Sequence, residues 1–283
     1  LLQELGLEIP ETYEDLVAMV PVLKANGLDT ILMGAQDDWV IQSCLFSTIV
    51  GRLVGDKKMD EIIAGEAKFT DSEFVGALEF YGRLFADGVL HRKIMNTTYG
   101  EVNGLFAAGR APFMIDGDWK VGNFITDTST GEALIPVDKQ DEFKMIIFPA
   151  IPGEINPNSA STVVGTGYGM SANIPAGSAK EAAAWELIKW LQSVEVQKLR
   201  LETGGTIPSR IDVTSDQLEP LVNERLGYYA LIETGTYVLD SVLAGEVYLP
   251  INIGLQEIGL GLATPMEVAE RTQEAYDAWK ANQ

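Results

Sequence analysis

Apolar runs short enough to be β-strands occur in this chain only up to about residue 170, and helix signals then follow one another almost without interruption. An amphipathic helix must lay its apolar stripe on another layer. The strand candidates are DTILMG (29–34), APFMID (111–116) and KMIIFPAIPG (144–153), few for the helices that come after Ser178. That mismatch predicts an α/β fold in which the sheet covered by the late helices lies outside this sequence.

Helix boundaries are marked by local chemistry. Thr12 with Asp15 forms a capping box before Leu16, Met19, Val20 and Leu23, and Asn26-Gly27 ends the helix. Pro21 inside it predicts a kink or a split. Trp39–Val54 reads as one mostly buried helix. Thr70 with Glu73 starts another, with Phe74, Leu78, Tyr81 and Phe85 on one face and Gly88 as its stop. A short helix spans Tyr99–Ala108, and a further one carries Trp119 and Phe124 before a polar hairpin or loop at 126–142.

Ser178 with Glu181 caps a helix bearing Ala183, Leu187 and Trp190. Another runs to Thr203 and stops at Gly204-Gly205, and a third covers roughly Asp216–Leu231. The last starts at Thr264, with Pro265 at the first helical position and Glu267 closing the box. Periodicity assigns Trp185, Trp190 and Trp279 to the core.

Charge and composition exclude several classes. A formal charge of −21 argues against nucleic acid, whose phosphates need a basic surface. No apolar run reaches the ~20 residues of a membrane span. A single cysteine, Cys44, forms no internal disulfide, and with a single histidine, His91, it leaves no ordinary zinc set. His91 lies beside Arg92 and Lys93 on an expected loop. No cofactor is implied.

Three stretches hold the candidate site. GDWKVGNF follows the APFMID strand, so Gly117 permits close approach, Asp118 offers an acceptor and Trp119 is either a ligand platform or a core cap. QDDWV places Asp38 and Trp39 at a helix start after a strand, where Trp39 is again either platform or core. STVVGTGYGMSANIPAG has glycines at 165, 167 and 169, but no helix follows directly as dinucleotide binding requires. Gly165, Thr166, Gly167 and Tyr168 could present backbone N–H groups and a ring to a ligand, or simply build a hinge strand.

These segments, in order, resemble the family 1 extracellular solute-binding proteins, the maltose-binding-protein-like group serving carbohydrate ABC importers. LGLEIPETYEDLVAMVPVLKANG, FAAGRAPFMIDGDWKVGNF, the stretch from Ser161 to Arg210, and ATPMEVAERTQEAYDAW look like successive family motifs. The resemblance covers nearly the whole chain and aligns Leu1 well inside a family member. The opening LLQELGLEIPETY reads as one helix running into the next. Both predict that a signal sequence and most of the first lobe's sheet, roughly a third of the protein, are absent.

The resemblance implies a two-lobe periplasmic-binding-protein-like fold of type II that closes on its ligand by hinge motion. Residues 1–164 would be the second lobe, 165–240 the helical remnant of the first, and 241–283 the return to the second. It implies no enzyme activity, a carbohydrate bound between the lobes, delivery to ABC permease subunits, and residence in the periplasm or on a lipid anchor outside the cell. Asp240 falls where some members place an acid, although its neighbours depart from the pattern.

A sugar offers a C–H-rich face to aromatic rings and hydroxyls to carboxylates and amides. The competing readings are a glycoside-processing enzyme using a carboxylate pair such as Asp116 and Asp118, or a receptor for another solute. The complete protein is expected to be monomeric. This chain alone would cover its open helix faces by self-association, by repacking, or with residues of the polypeptide not in the sequence.

Overall fold

The computed structural model of the chain describes residues 1–162 and 167–283. In chain order it contains α1 (Tyr13–Ala25), β1 (Ile31–Leu32), α2 (Asp38–Ile41), α3 (Ser47–Leu53), α4 (Gly55–Ala64), α5 (Ser72–Ala86) and α6 (Glu101–Ala107). There follow β2 (Phe113–Met114), β3 (Ser159–Ser161), α7 (Ala179–Leu191), α8 (Val194–Gly204), α9 (Pro220–Tyr228) and β4 (Thr234–Thr236). The chain closes with α10 (Leu239–Val242), α11 (Gly245–Leu260) and α12 (Pro265–Ala281).

The helix starts read at Thr12, Ser178 and Thr264 are built as chemistry requires, whereas α5 has Asp71 rather than Thr70 at its head and no side-chain capping bond. Thr12 and Asp15 exchange both capping bonds at α1, and Thr264 and Glu267 do so at α12, where Pro265 occupies the first turn. Ser178 accepts from the Glu181 N–H at the head of α7. Such caps satisfy N–H groups that no helical carbonyl can reach.

Several elements differ from expectation. Helix α1 runs unbroken over Pro21. Pro21 is exposed, so water can replace the bond its missing N–H removes. The Trp39–Val54 helix contains a π-helical turn at Gln42–Phe46 between α2 and α3. There the buried Ser47 hydroxyl donates to the Gln42 carbonyl at 2.8 Å and accepts from the Leu239 N–H at 3.0 Å. The segment expected as a helix around Trp119 and Phe124 is a 3₁₀ turn, Asp118–Asn123. The expected Asp216–Leu231 helix is confined to α9 and a 3₁₀ turn at Tyr229–Leu231, Pro220 fixing its start.

Segment 144–153 joins no ladder. Met145 donates its N–H to Glu224, while Ala150 exchanges backbone bonds with Glu11 and Tyr13. Its two halves find partners in different parts of the chain, which prevents one continuous strand.

By internal packing the described residues divide into a first unit, 1–117, 146–162 and 230–283, and a second, 118–145 and 167–229. The expected limits at 164/165 and 240/241 thus differ from these for 118–145, which packs with the second unit, and for 230–240, which packs with the first.

The first unit is a helical core around two short parallel pairings. Ile31 lies opposite Phe113 and Leu32 opposite Met114 in β1–β2, while β3–β4 aligns Ser159 with Thr234 and Ser161 with Thr236. Phe74, Leu78 and Tyr81 of α5 are fully buried with Phe46 and Ile49, and with Val247, Ile251 and Leu255 of α11. Helices α11 and α12 pack closely because Gly254 lies against Val268, where a Cβ would come within 2.3 Å of a Val268 methyl. Trp279 packs partly buried on this core.

In the second unit, α9 gathers the 118–145 segment. Gln140 is buried and donates to Glu219 at 2.6 Å while accepting from the Leu221 N–H, and Lys144 pairs with Glu224. Helix α7 buries none of its residues. Trp185 is 52% exposed and Trp190 57%, which corrects their assignment to a core. Periodicity identified an apolar face, but none of the described residues covers it.

Candidate ligand-binding site

The sequence candidates fall into two clusters, one in each unit. In the second unit the site is built on the Asp118–Asn123 turn. Lys120 and Val121 point into the unit and are buried, whereas Trp119 is 42% exposed. A single six-residue 3₁₀ turn has little cooperativity of its own. Tertiary contacts must therefore fix it.

Asp118 supplies one such contact. Its Oδ2 receives the Nε and Nη2 of Arg225, both at 2.7 Å, and the hydroxyl of Tyr229. The remaining guanidinium nitrogen, Nη1, donates to the Gly205 carbonyl. Arg225 is only 6% exposed, so this ion pair is shielded from solvent. Burial pushes the Tyr229 hydroxyl up to about 12, and the Asp118 carboxylate adds to the shift. Tyr229 therefore stays protonated and donates at neutral pH.

Gly122 supplies the second contact. Its backbone rests on the end of α8, and a Cβ there would lie 2.7 Å from the Gly204 carbonyl oxygen. The turn is thus pinned at both ends to one corner, Gly204-Gly205. The same unit contains Tyr168, partly exposed, whose hydroxyl accepts from Arg200 at 2.8 Å. Gly167 is exposed. Gly165 and Thr166 lie outside the described residues.

In the first unit β1 delivers the chain to Asp37, Asp38 and Trp39. Trp39 is half-buried, its ring centroid 5.1 Å from that of Tyr99 at an interplanar angle of 54°. Asp37 accepts from the Tyr99 N–H at 2.9 Å, which ties the two aromatic-bearing segments together. Gln256 of α11 donates its amide to the carbonyls of Ala35 (2.9 Å) and Gln36 (3.2 Å), holding the loop from behind. Asp38 is half-buried at the first turn of α2.

Asp240 is exposed and accepts from the Ser43 hydroxyl at 3.0 Å. Gly117 ends the first segment of the first unit, its N–H donating to the Asp116 carboxylate of the preceding residue. His91 accepts from the Lys93 N–H and caps a 3₁₀ turn.

Tyr99, Gln256, Arg225 and Tyr229 escaped the sequence reading. Only Tyr99 carried a local signal, since it sits inside the Thr98–Glu101 capping box. The others act across long sequence separations. Each cluster offers an aromatic face beside carboxylates, the chemistry that suits a neutral polyhydroxylated ligand. Among the described residues no group of three or more His, Cys, Asp or Glu could hold a metal ion. No helix among them is long and apolar enough to cross a membrane.

Comparison with known proteins follows this geometry. An uncharacterised ABC transporter extracellular-binding protein of Pyrococcus horikoshii is 24% identical over 277 residues, covering 95% of this chain and 56% of its own length. A chitin oligosaccharide binding protein superposes with a TM-score of 0.84 at 23% identity, over 99% of this chain and 68% of its own. The maltose/maltodextrin-binding domain of Bdellovibrio bacteriovorus, bound to maltotriose, gives a TM-score of 0.68 at 20% identity, covering 99% and 69%.

The chain spans about half the length of the curated relatives it matches. These likenesses carry the expected fold class, the α/β two-lobe fold of periplasmic solute-binding proteins. The profile of bacterial extracellular solute-binding proteins, which are substrate-binding proteins and not enzymes, matches residues 1–198, more than two thirds of the sequence. The chain belongs to the bacterial extracellular solute-binding protein family.

Proposed function

We propose that this chain is the larger part of the solute receptor of an ABC importer, and that its solute is a carbohydrate. The observation that carries this reading is Trp119, a large aromatic side chain 42% exposed on a turn whose other anchors are buried. An apolar ring held exposed costs solvation unless something covers it, and the C–H face of a sugar is matched to it in size and polarity. Trp39 with Tyr99 supplies a second aromatic face, and Asp38 and Asp240 supply acceptors for hydroxyls. Gly167 and Tyr168, with Gly165 and Thr166, complete the proposed contact set.

Support comes from structural relatives that take chitin oligosaccharides and maltotriose. In the same reading, residues 1–164 and 241–283 make the second lobe and 165–240 the helical part of the first. The receptor works outside the cell membrane, in a periplasm or on a lipid anchor, and hands its sugar to permease subunits.

Isothermal calorimetry of the full-length protein against N,N′-diacetylchitobiose, maltotriose, stachyose and galactose tests the proposal. Saturable heat with at least one of them, and no products by chromatography, is expected. Silence across the panel with heat from an amino acid or peptide would replace the sugar by another solute. Release of cleaved sugar would overturn the receptor reading.

A further inference from the structure

We infer that Arg225 is a positioning residue for the Trp119 platform and acts on it through the Asp118 carboxylate. The inference rests on the reading of Trp119 as a ligand contact and extends it to a residue on a different element.

The geometry commits one Asp118 carboxylate oxygen to the turn. Three donors converge on its Oδ2, two from the Arg225 guanidinium and one from the Tyr229 hydroxyl. A planar guanidinium is a rigid fork, so its contacts are fixed relative to one another. By bonding Asp118 with one edge and the Gly205 carbonyl with Nη1, Arg225 fixes the first residue of the turn to the end of α8. Gly122, near the last residue of the turn, meets the neighbouring Gly204 carbonyl. Trp119 lies between these two clamps, one peptide unit from Asp118.

The direction of the Trp119 Cα–Cβ bond is therefore set by Arg225, 107 residues away in sequence from Asp118. Lysine cannot reproduce this arrangement. Its ammonium is a point charge with no fixed plane, and it would reach either Asp118 or Gly205 without orienting them together.

The test needs one readout free of ligand. The full-length protein is labelled with 5-fluorotryptophan, and Trp119→Phe assigns the Trp119 resonance among the five tryptophans of this chain and any others. In Arg225→Lys and Arg225→Met the fluorine resonance of Trp119 is expected to shift and broaden while Trp39 and Trp279 stay unchanged. Affinity for the sugar found by calorimetry should fall about tenfold, with the melting curve of Arg225→Lys close to wild type. Tyr229→Phe, which removes only one of the three donors, should give a smaller shift of the same resonance.

An unmoved Trp119 resonance in a folded Arg225→Lys protein overturns the inference. Should Arg225→Met fail to fold, Arg225→Lys and Tyr229→Phe still decide it. If the resonance moves but Trp119→Ala binds sugar as well as wild type, the platform reading fails while the positioning stands. If Trp119→Ala loses binding and the Arg225 variants leave both resonance and affinity intact, only the positioning fails.

Discussion

Helices α5 and α7 begin with similar instructions and end in opposite environments. Each has a polar residue at its head, a glutamate in its first turn and large apolar side chains at helical spacing. Helix α5 buries seven of its fifteen residues, and α7 buries none of its thirteen. The difference is not in the helices themselves. α5 lies among α3, α11 and α12, which supply Ile49, Leu255 and Val268 to the same core, whereas the apolar residues of α7 meet no such layer among the described residues. An amphipathic pattern specifies a face. The energy comes from whatever covers it.

The sharpest way to break this comparison is truncation on both helices. Phe74→Ala in α5 should cost about 3–5 kcal/mol, the loss of a fully enclosed aromatic plus the cavity it leaves. Trp190→Ala in α7 should stay within about 0.5 kcal/mol in this chain, because the ring is already in solvent. Urea titrations of both variants give the answer, and equal losses would mean that α7 is covered after all.

Trp119 belongs to the open class by exposure but is held like a core residue. Trp119→Ala should lower sugar affinity by about 1–3 kcal/mol, the scale of one aromatic contact surface, with little change in unfolding midpoint. Calorimetry and thermal melts on the same samples separate the two quantities. A large drop in midpoint would place the ring in the core.

Capping variants give the smallest and most local contrast. Thr264→Ala should cost about 1 kcal/mol of global stability, since α12 is locked to α11 and its first turn cannot fray alone. Ser178→Ala removes an equivalent bond from α7. With nothing buried on that helix, the loss should appear as faster amide exchange in its first turn and leave the global midpoint in place.

What was readable in the sequence follows the range of each interaction. Capping boxes at Thr12 and Thr264 involve residues three apart, so the pattern alone reveals them, while the one at Thr98 went unread. GDWKVGNF placed Trp119 beside an acid but left it open between platform and core cap, and gave no sign of what engages that acid. Arg225 and Tyr229 reach Asp118 only because α9 packs on the turn, a fact that no local window contains. Trp185 and Trp190 were misassigned for the reason that separates α5 from α7. The Gln42–Phe46 π turn was hidden because a widened turn has nearly the same apolar spacing as a regular one.

That π turn also limits how the gene can change. It holds one residue more than a regular helical turn, and by absorbing that residue it keeps α2 and α3 in phase. Upstream of it the helix presents Trp39; downstream Thr48 accepts the Ser161 N–H and Arg52 donates to the Ser159 carbonyl. An in-frame deletion of one codon within α3 itself, where the helix is regular, would turn every later residue of α3 by about 100°. The anchorage of β3 would then lose its orientation, so a change of one residue in length should be borne at the π turn and not within α3.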